Sequence, residues 1–185
     1  MKQIVQLGAR LEANAEWVAS QLSPLPEDDF ATLVHGDYKA MNTFLPVRPG
    51  DQAMLIDFAS TGVGFGMADV AMLLSHSVAP DVLADGGEDR LIDAYLDALA
   101  EARESPAGAF TRERALRHYR LAVVDYGRFV VARFWSAASP EAFAKKADSP
   151  NTTLVNRDVE AALKFVERID KCLELFETSG EAIRI

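Results

Sequence analysis

Apolar residues recur at spacings of three and four over the first part of the chain, at Ile4, Leu7, Leu11, Ala15, Val18 and Leu22. That period is one face of an amphipathic helix. Ser23-Pro24-Leu25-Pro26 ends it, because proline has no N–H for the helical ladder. The pattern then changes to three short apolar runs of strand length, Thr32-Leu33-Val34, Thr43-Phe44-Leu45 and Ala53-Met54-Leu55-Ile56. Arg48-Pro49-Gly50-Asp51, between the last two, reads as a hairpin turn. Helical spacing returns over residues 69–76, over 89–104 after the Asp85-Gly86-Gly87 break, and over 111–135. Residues 136–155, broken by Ser139-Pro140 and Ser149-Pro150, read as loop. A last helix repeats Val159, Leu163, Val166, Ile169, Leu173 and Phe176, which predicts a buried packing stripe. The expected class is α+β and mainly helical, with short strands near the N-terminus followed by a helical body.

Composition narrows the classes available. At 185 residues with 49% hydrophobic content, the chain has apolar material for the core of one ordinary domain. No stretch approaches the ~20 apolar residues of a membrane span, and Arg10, Glu12 and Glu16 interrupt any signal-peptide core. A cytoplasmic setting is the expectation. The one cysteine, Cys172, excludes an internal disulfide and a cysteine-based zinc site, and it reads as a small buried hydrophobe. The net charge of −9 argues against nucleic acid as a partner. It is compatible with a cationic small substrate, and solubility accounts for it equally well.

The chemistry concentrates in Leu33-Val34-His35-Gly36-Asp37-Tyr38-Lys39-Ala40-Met41-Asn42-Thr43-Phe44-Leu45. A short strand leads into His-Gly-Asp, Asn42 lies five residues after Asp37, and a second strand leads out. This is the layout of a kinase catalytic loop, His-x-Asp with Asn five positions later. Twenty residues after Asp37, Leu55-Ile56-Asp57-Phe58 brings an acidic residue out of another apolar strand. Phosphoryl transfer asks a protein mainly for positioning and charge neutralisation. Asp37 fits the carboxylate that orients an acceptor hydroxyl and takes its proton. Asp57 and Asn42 fit the hard oxygen donors that Mg²⁺ prefers.

With these residues the chain resembles the aminoglycoside phosphotransferase and choline kinase superfamily, which carries Gly where most protein kinases carry Arg in the His-Arg-Asp triplet. Gly64-Phe65-Gly66-Met67-Ala68-Asp69-Val70-Ala71 is similar to the family segment after the metal aspartate, and Ser75 to Val82 leans towards its ecdysteroid-kinase-like branch. The resemblance is specific over residues 32–76. It implies a kinase-like C-lobe using ATP or GTP with Mg²⁺ on a small-molecule alcohol, with Asp37 catalytic and Asn42 and Asp57 on metal and nucleotide. It also implies structural support from His35 within the loop and from Asp69 on the following helix.

That family also has an N-terminal lobe with a phosphate-covering loop and a strand lysine. The 34 residues before His35 contain no glycine-rich loop, and Lys2 is their sole lysine. The expectation is therefore a single C-lobe over 1–185 with the N-lobe absent: leading helix and turn 1–31, catalytic and metal loops 32–68, helical body 69–185. As an isolated chain it would be inactive. The missing lobe would belong to a longer, full-length chain of which these residues are a part, or a partner chain or a second copy would cover the open face, or the lobe would serve as a non-catalytic binding or scaffold module or as a subunit of a larger assembly.

Other candidates are weaker. Lys39 either assists the transferring phosphate or faces solvent. Arg112, Arg114, Arg117 and Arg120 read as a solvated face with carboxylate neighbours. Gly62, Gly64 and Gly66 lack the nucleotide-binding spacing and read as a flexible loop. His76 and His118 have no partner pattern. A calcineurin-like phosphoesterase site needs more histidines than the three present, none of which follows Asn.

Overall fold

In the computed structural model, which describes residues 6–28, 30–48, 50–102 and 110–184, the leading stripe forms helix α1 (Leu7–Gln21). Strand β1 (Ala31–Val34), a 3₁₀ turn (Ala40–Asn42), β2 (Thr43–Phe44) and β3 (Met54–Leu55) follow. A second 3₁₀ turn (Phe58–Ser60), β4 (Gly62–Phe65), α2 (Met67–Ser77) and α3 (Pro80–Leu83) complete the first half. The second half is helical: α4 (Gly87–Ala102), α5 (Arg112–Arg133), α6 (Pro140–Ala144), a 3₁₀ turn (Leu154–Asn156) and α7 (Val159–Ser179). Ile4, Pro49, Glu104 and Lys2 lie outside the described residues. The class is α+β and mainly helical, with two two-stranded antiparallel sheets. No helix among the described residues is long and apolar enough to cross a membrane.

Helix α5 is the axis of the body. Leu121, Val123, Val124 and Val130 are fully buried, and the helix packs on α1, α2 and α7. Each such side chain contributes about 1.5–3 kcal/mol of burial. Thr111 caps α5 by accepting the Arg114 N–H at 3.2 Å, and Asp158 caps α7 by accepting from Ala161 at 2.9 Å. Left-handed Gly180 ends α7. Cys172 is buried in α7 among core residues, which pushes its thiol up to about 12.

Four expectations change. Gly62 and Gly64 belong to strand β4, not to a flexible loop: Ala31 pairs with Phe65 and Val34 with Gly62. A Cβ on Gly64 would stand 3.1 Å from a methyl of Val34, so the missing side chain lets that side chain pack over the strand. Residues 136–155 include helix α6, whose N-cap Ser139 accepts from the Ala142 N–H at 3.2 Å. The buried stripe of α7 runs through Ala162, Phe165, Ile169, Leu173 and Phe176, while Val159 and Leu163 are exposed. The stripe follows the helical period from Phe165, and Val159 and Leu163 lie off it. On α1, the apolar face also carries buried Arg10 and Asn14. Arg10 pairs with Asp170 and, at 2.7 Å, with Glu177, both on α7. Asn14 grips both backbone groups of Ile183, donating at 3.0 Å and accepting at 2.8 Å.

Candidate active site

Strand β1 delivers the His35–Asn42 loop and helix α2 braces it. Asp69, in the first turn of α2, accepts the His35 N–H at 2.7 Å and the Gly36 N–H at 2.9 Å, one on each carboxylate oxygen. An acidic side chain there also meets the positive end of the helix dipole. Ser77, at the other end of α2, accepts the Ala40 N–H through Oγ at 2.8 Å. One helix therefore holds the loop at two points.

Gly36 occupies the left-handed region, at φ 78°, and a Cβ there would lie 2.2 Å from the Ser60 carbonyl oxygen. The loop can approach the Phe58–Ser60 turn this closely only without a side chain. Gly36→Ala is expected to cost about 2 kcal/mol from the backbone conformation alone, and more through the displaced carbonyl. Chemical denaturation of both proteins checks it.

His35 ties the two loops together. Its Nδ1 accepts the Asp37 N–H at 3.3 Å, and Nε2 lies 2.9 Å from the Ile56 carbonyl. This pattern is that of the neutral ring with the proton on Nε2, donating to Ile56, so neither nitrogen is free for base chemistry. The Ile56 N–H donates in turn to the Asn42 carbonyl at 3.1 Å. Both backbone groups of Ile56 are thus fastened to the His35–Asn42 loop, and Asp57 is the next residue.

Asp57 takes a left-handed conformation, at φ 63°, which only a few non-glycine types adopt readily. Its side chain is exposed and has no hydrogen bond or ion pair among the described residues. Asn42 is buried and donates its Nδ2 to the Asp37 carbonyl at 2.8 Å and to Asp37 Oδ2 at 3.0 Å. That use of the amide nitrogen leaves the amide oxygen unengaged. Lys39 Nζ meets the same Asp37 Oδ2 at 2.5 Å, so Lys39 is ion-paired within the loop. Among the described residues no group of three His, Cys, Asp or Glu side chains is arranged to hold a metal. One carboxylate with an amide oxygen still suits Mg²⁺, which is commonly held by one or two carboxylates plus phosphate oxygens.

A cleft of about 670 Å³ opens beside Asp37, between α2, α5 and the 146–156 segment. Sequence reasoning missed its far wall, because Met72, Asp125, Tyr126 and Phe129 read only as helical residues. It missed Ser77 for the same reason. His76 also lines the cleft, and burial, with Lys39 adding to it and Asp37 opposing it, lowers its pKa to about 4. A histidine held neutral favours the folded state fully above its unfolded value near 6.5, and that stability is lost as pH falls towards 4. The loss amounts to about 3 kcal/mol. Thermal unfolding between pH 7 and 4 should be less pH-dependent in His76→Gln than in the wild type. The arginine group on α5 has carboxylate neighbours: Arg112 meets Asp89 and Asp93 at 2.7 and 2.6 Å, and Arg117 meets Glu181 at 2.7 Å.

A mainly helical body that presents a His-Gly-Asp loop, and an aspartate two residues past a short strand, on small antiparallel sheets is a kinase-like C-lobe. The chain belongs to the phosphotransferase enzyme family, whose model matches residues 2–116. That span contains every residue of the two loops and of α2. Comparison with curated proteins and with solved structures gives no significant match.

Proposed function

We propose that residues 1–185 form one kinase-like lobe that transfers the γ-phosphoryl group of ATP, with Mg²⁺, to a hydroxyl of a small molecule. The observation that carries this reading is the double fastening of Ile56, which joins the Asp37–Asn42 loop to Asp57. GTP offers the same phosphates and is the alternative donor. The Asp57 carboxylate and the Asn42 amide oxygen are donors of the class Mg²⁺ prefers. An ion bound there would neutralise charge on the phosphates.

Asp37 handles the acceptor. Its Oδ2 is held by Lys39 and Asn42, which leaves Oδ1 for the acceptor hydroxyl. As the acceptor oxygen bonds to the γ-phosphorus, the bond to the ADP oxygen breaks and the hydroxyl proton passes to Asp37. Lys39 holds Asp37 in place and lends positive charge to the transferring group. His35 and Asp69 support the loop through the hydrogen bonds already described.

A second observation bears on assembly. The cross-strand pairs Leu33–Val63 and Phe44–Met54 are largely exposed, at 74%, 73%, 58% and 64%, and Leu45 and Val47 extend this apolar character. Such surface marks an interaction site. It supports a covering polypeptide, whether a nucleotide-side lobe, a partner chain or a second copy. The same surface favours the alternative in which the chain is a binding module or a subunit of a larger assembly. The two are separated by incubating the full-length protein with ATP, Mg²⁺ and a panel of alcohols. ADP formation that EDTA abolishes is the expected result; no turnover and no nucleotide binding would leave the binding module.

A further inference from the structure

We infer that the acceptor alcohol carries no positive charge and has an apolar body of about ring size, seated against the α5 side of the cleft. This rests on the phosphotransferase reading and names the substrate class of that site. The volume of about 670 Å³ is that of a small-molecule pocket.

Charge is the first argument. The chain is acidic overall at −9, but its cleft is not. Among the described residues its carboxylates are Asp37 and Asp125, against the cations Lys39, Arg128 and Lys146. Each carboxylate is already paired, Asp37 with Lys39 at 2.5 Å and Asp125 with Arg128 at 3.0 Å. His76 adds no positive charge at neutral pH. An ammonium group entering this cleft meets surplus cations, and both carboxylates it meets are already ion-paired. Net charge made a cationic substrate compatible with the chain; the lining of this cleft favours a neutral one.

The walls supply the second argument. Phe129 and Phe134 stand edge to face at 5.5 Å and remain 43% and 46% exposed, although both line the cleft. Tyr126 continues this surface 6.3 Å from Phe129, and Met72 lies on the α2 side. Aromatic faces can hold a quaternary ammonium, but Lys39, Arg128 and Lys146 share the same space and oppose it. Across the cleft, Asn151, Thr152 and Thr153 are neutral and polar.

Unpartnered groups supply the third. His76 and Tyr126 are each 7% exposed with rings 4.5 Å apart, and His76 Nδ1 and the Tyr126 hydroxyl are buried without a hydrogen-bond partner. Buried polar atoms normally have partners. A neutral oxygen on the acceptor, such as a second hydroxyl or a carbonyl, is the kind of group that would complete them.

The test uses 3,3-dimethylbutan-1-ol and choline, which have the same shape and differ in charge, with 2-phenylethanol as a ring-bearing probe. Saturation-transfer NMR on the full-length protein without nucleotide reads binding, and ADP formation with Mg²⁺-ATP reads turnover. Both neutral alcohols should bind in preference to choline, and Phe129→Ala should weaken 2-phenylethanol by about tenfold. Choline binding as well as its neutral counterpart, or no binding by either neutral alcohol, would overturn the inference. Neutral-alcohol binding with no ADP formed would support the substrate class and remove the phosphotransferase reading. ADP formed with choline alone would keep that reading and overturn the substrate class.

Discussion

Asp37→Asn should lower turnover by at least about 10²-fold, the usual loss when a positioned acid–base group is removed. Asparagine has nearly the same shape and retains an oxygen for Lys39, so the loop should keep its form. What disappears is the proton acceptor at the acceptor hydroxyl. Because Asp37 is distinct from the proposed metal donors, the KM for ATP should change little while kcat falls. Steady-state ADP formation by the full-length protein, with an acceptor that the wild type uses, measures both. A kcat within tenfold of wild type would remove Asp37 from the chemistry.

Arg10→Met should destabilise the protein by about 3–5 kcal/mol, the cost of removing one partner from a buried ionic group. Arg10 is 2% exposed, and its guanidinium serves Asp170 and Glu177 on α7. Without it, two carboxylates face each other in a largely dry interface between α1 and α7. For a domain of this size, a loss of that order lowers Tm by roughly 10 °C. The triple change Arg10→Met, Asp170→Leu and Glu177→Met should recover most of the loss, since apolar residues of similar volume replace buried ion pairs at little cost. Thermal melts of the three proteins separate these outcomes. A near-neutral single variant would mean that solvent reaches the carboxylates.

The candidate loop was legible because its information is local. His35, Gly36, Asp37 and Asn42 lie within eight residues, and Asp57 follows from a short apolar run. The helices were legible from their period and from caps such as Thr111 and Asp158. Strand β4 was not, because Gly62-Val63-Gly64 has little strand character alone and becomes a strand by pairing with β1 thirty residues away. The burial of Arg10 and Asn14 on α1 depends on Asp170, Glu177 and Ile183, more than 150 residues away, which no local pattern announces. The cleft was hidden for a similar reason. Whole-chain charge has no position, and only folding brings the Asp125–Arg128 pair of α5 into the same cleft as Asp37.

We propose that Asp57 and Asn42 serve a metal–nucleotide complex beside Asp37. Calorimetry of ATP binding to the full-length protein, with and without Mg²⁺, in wild type and Asp57→Asn, tests it most directly. Asparagine tolerates the left-handed backbone at this position and removes the charge and one of the two donor oxygens, so a lost signal reports on the donor itself. Binding should depend on Mg²⁺ in the wild type and weaken at least about tenfold in the variant. Binding that needs no divalent ion, or that is equally tight in Asp57→Asn, would contradict it.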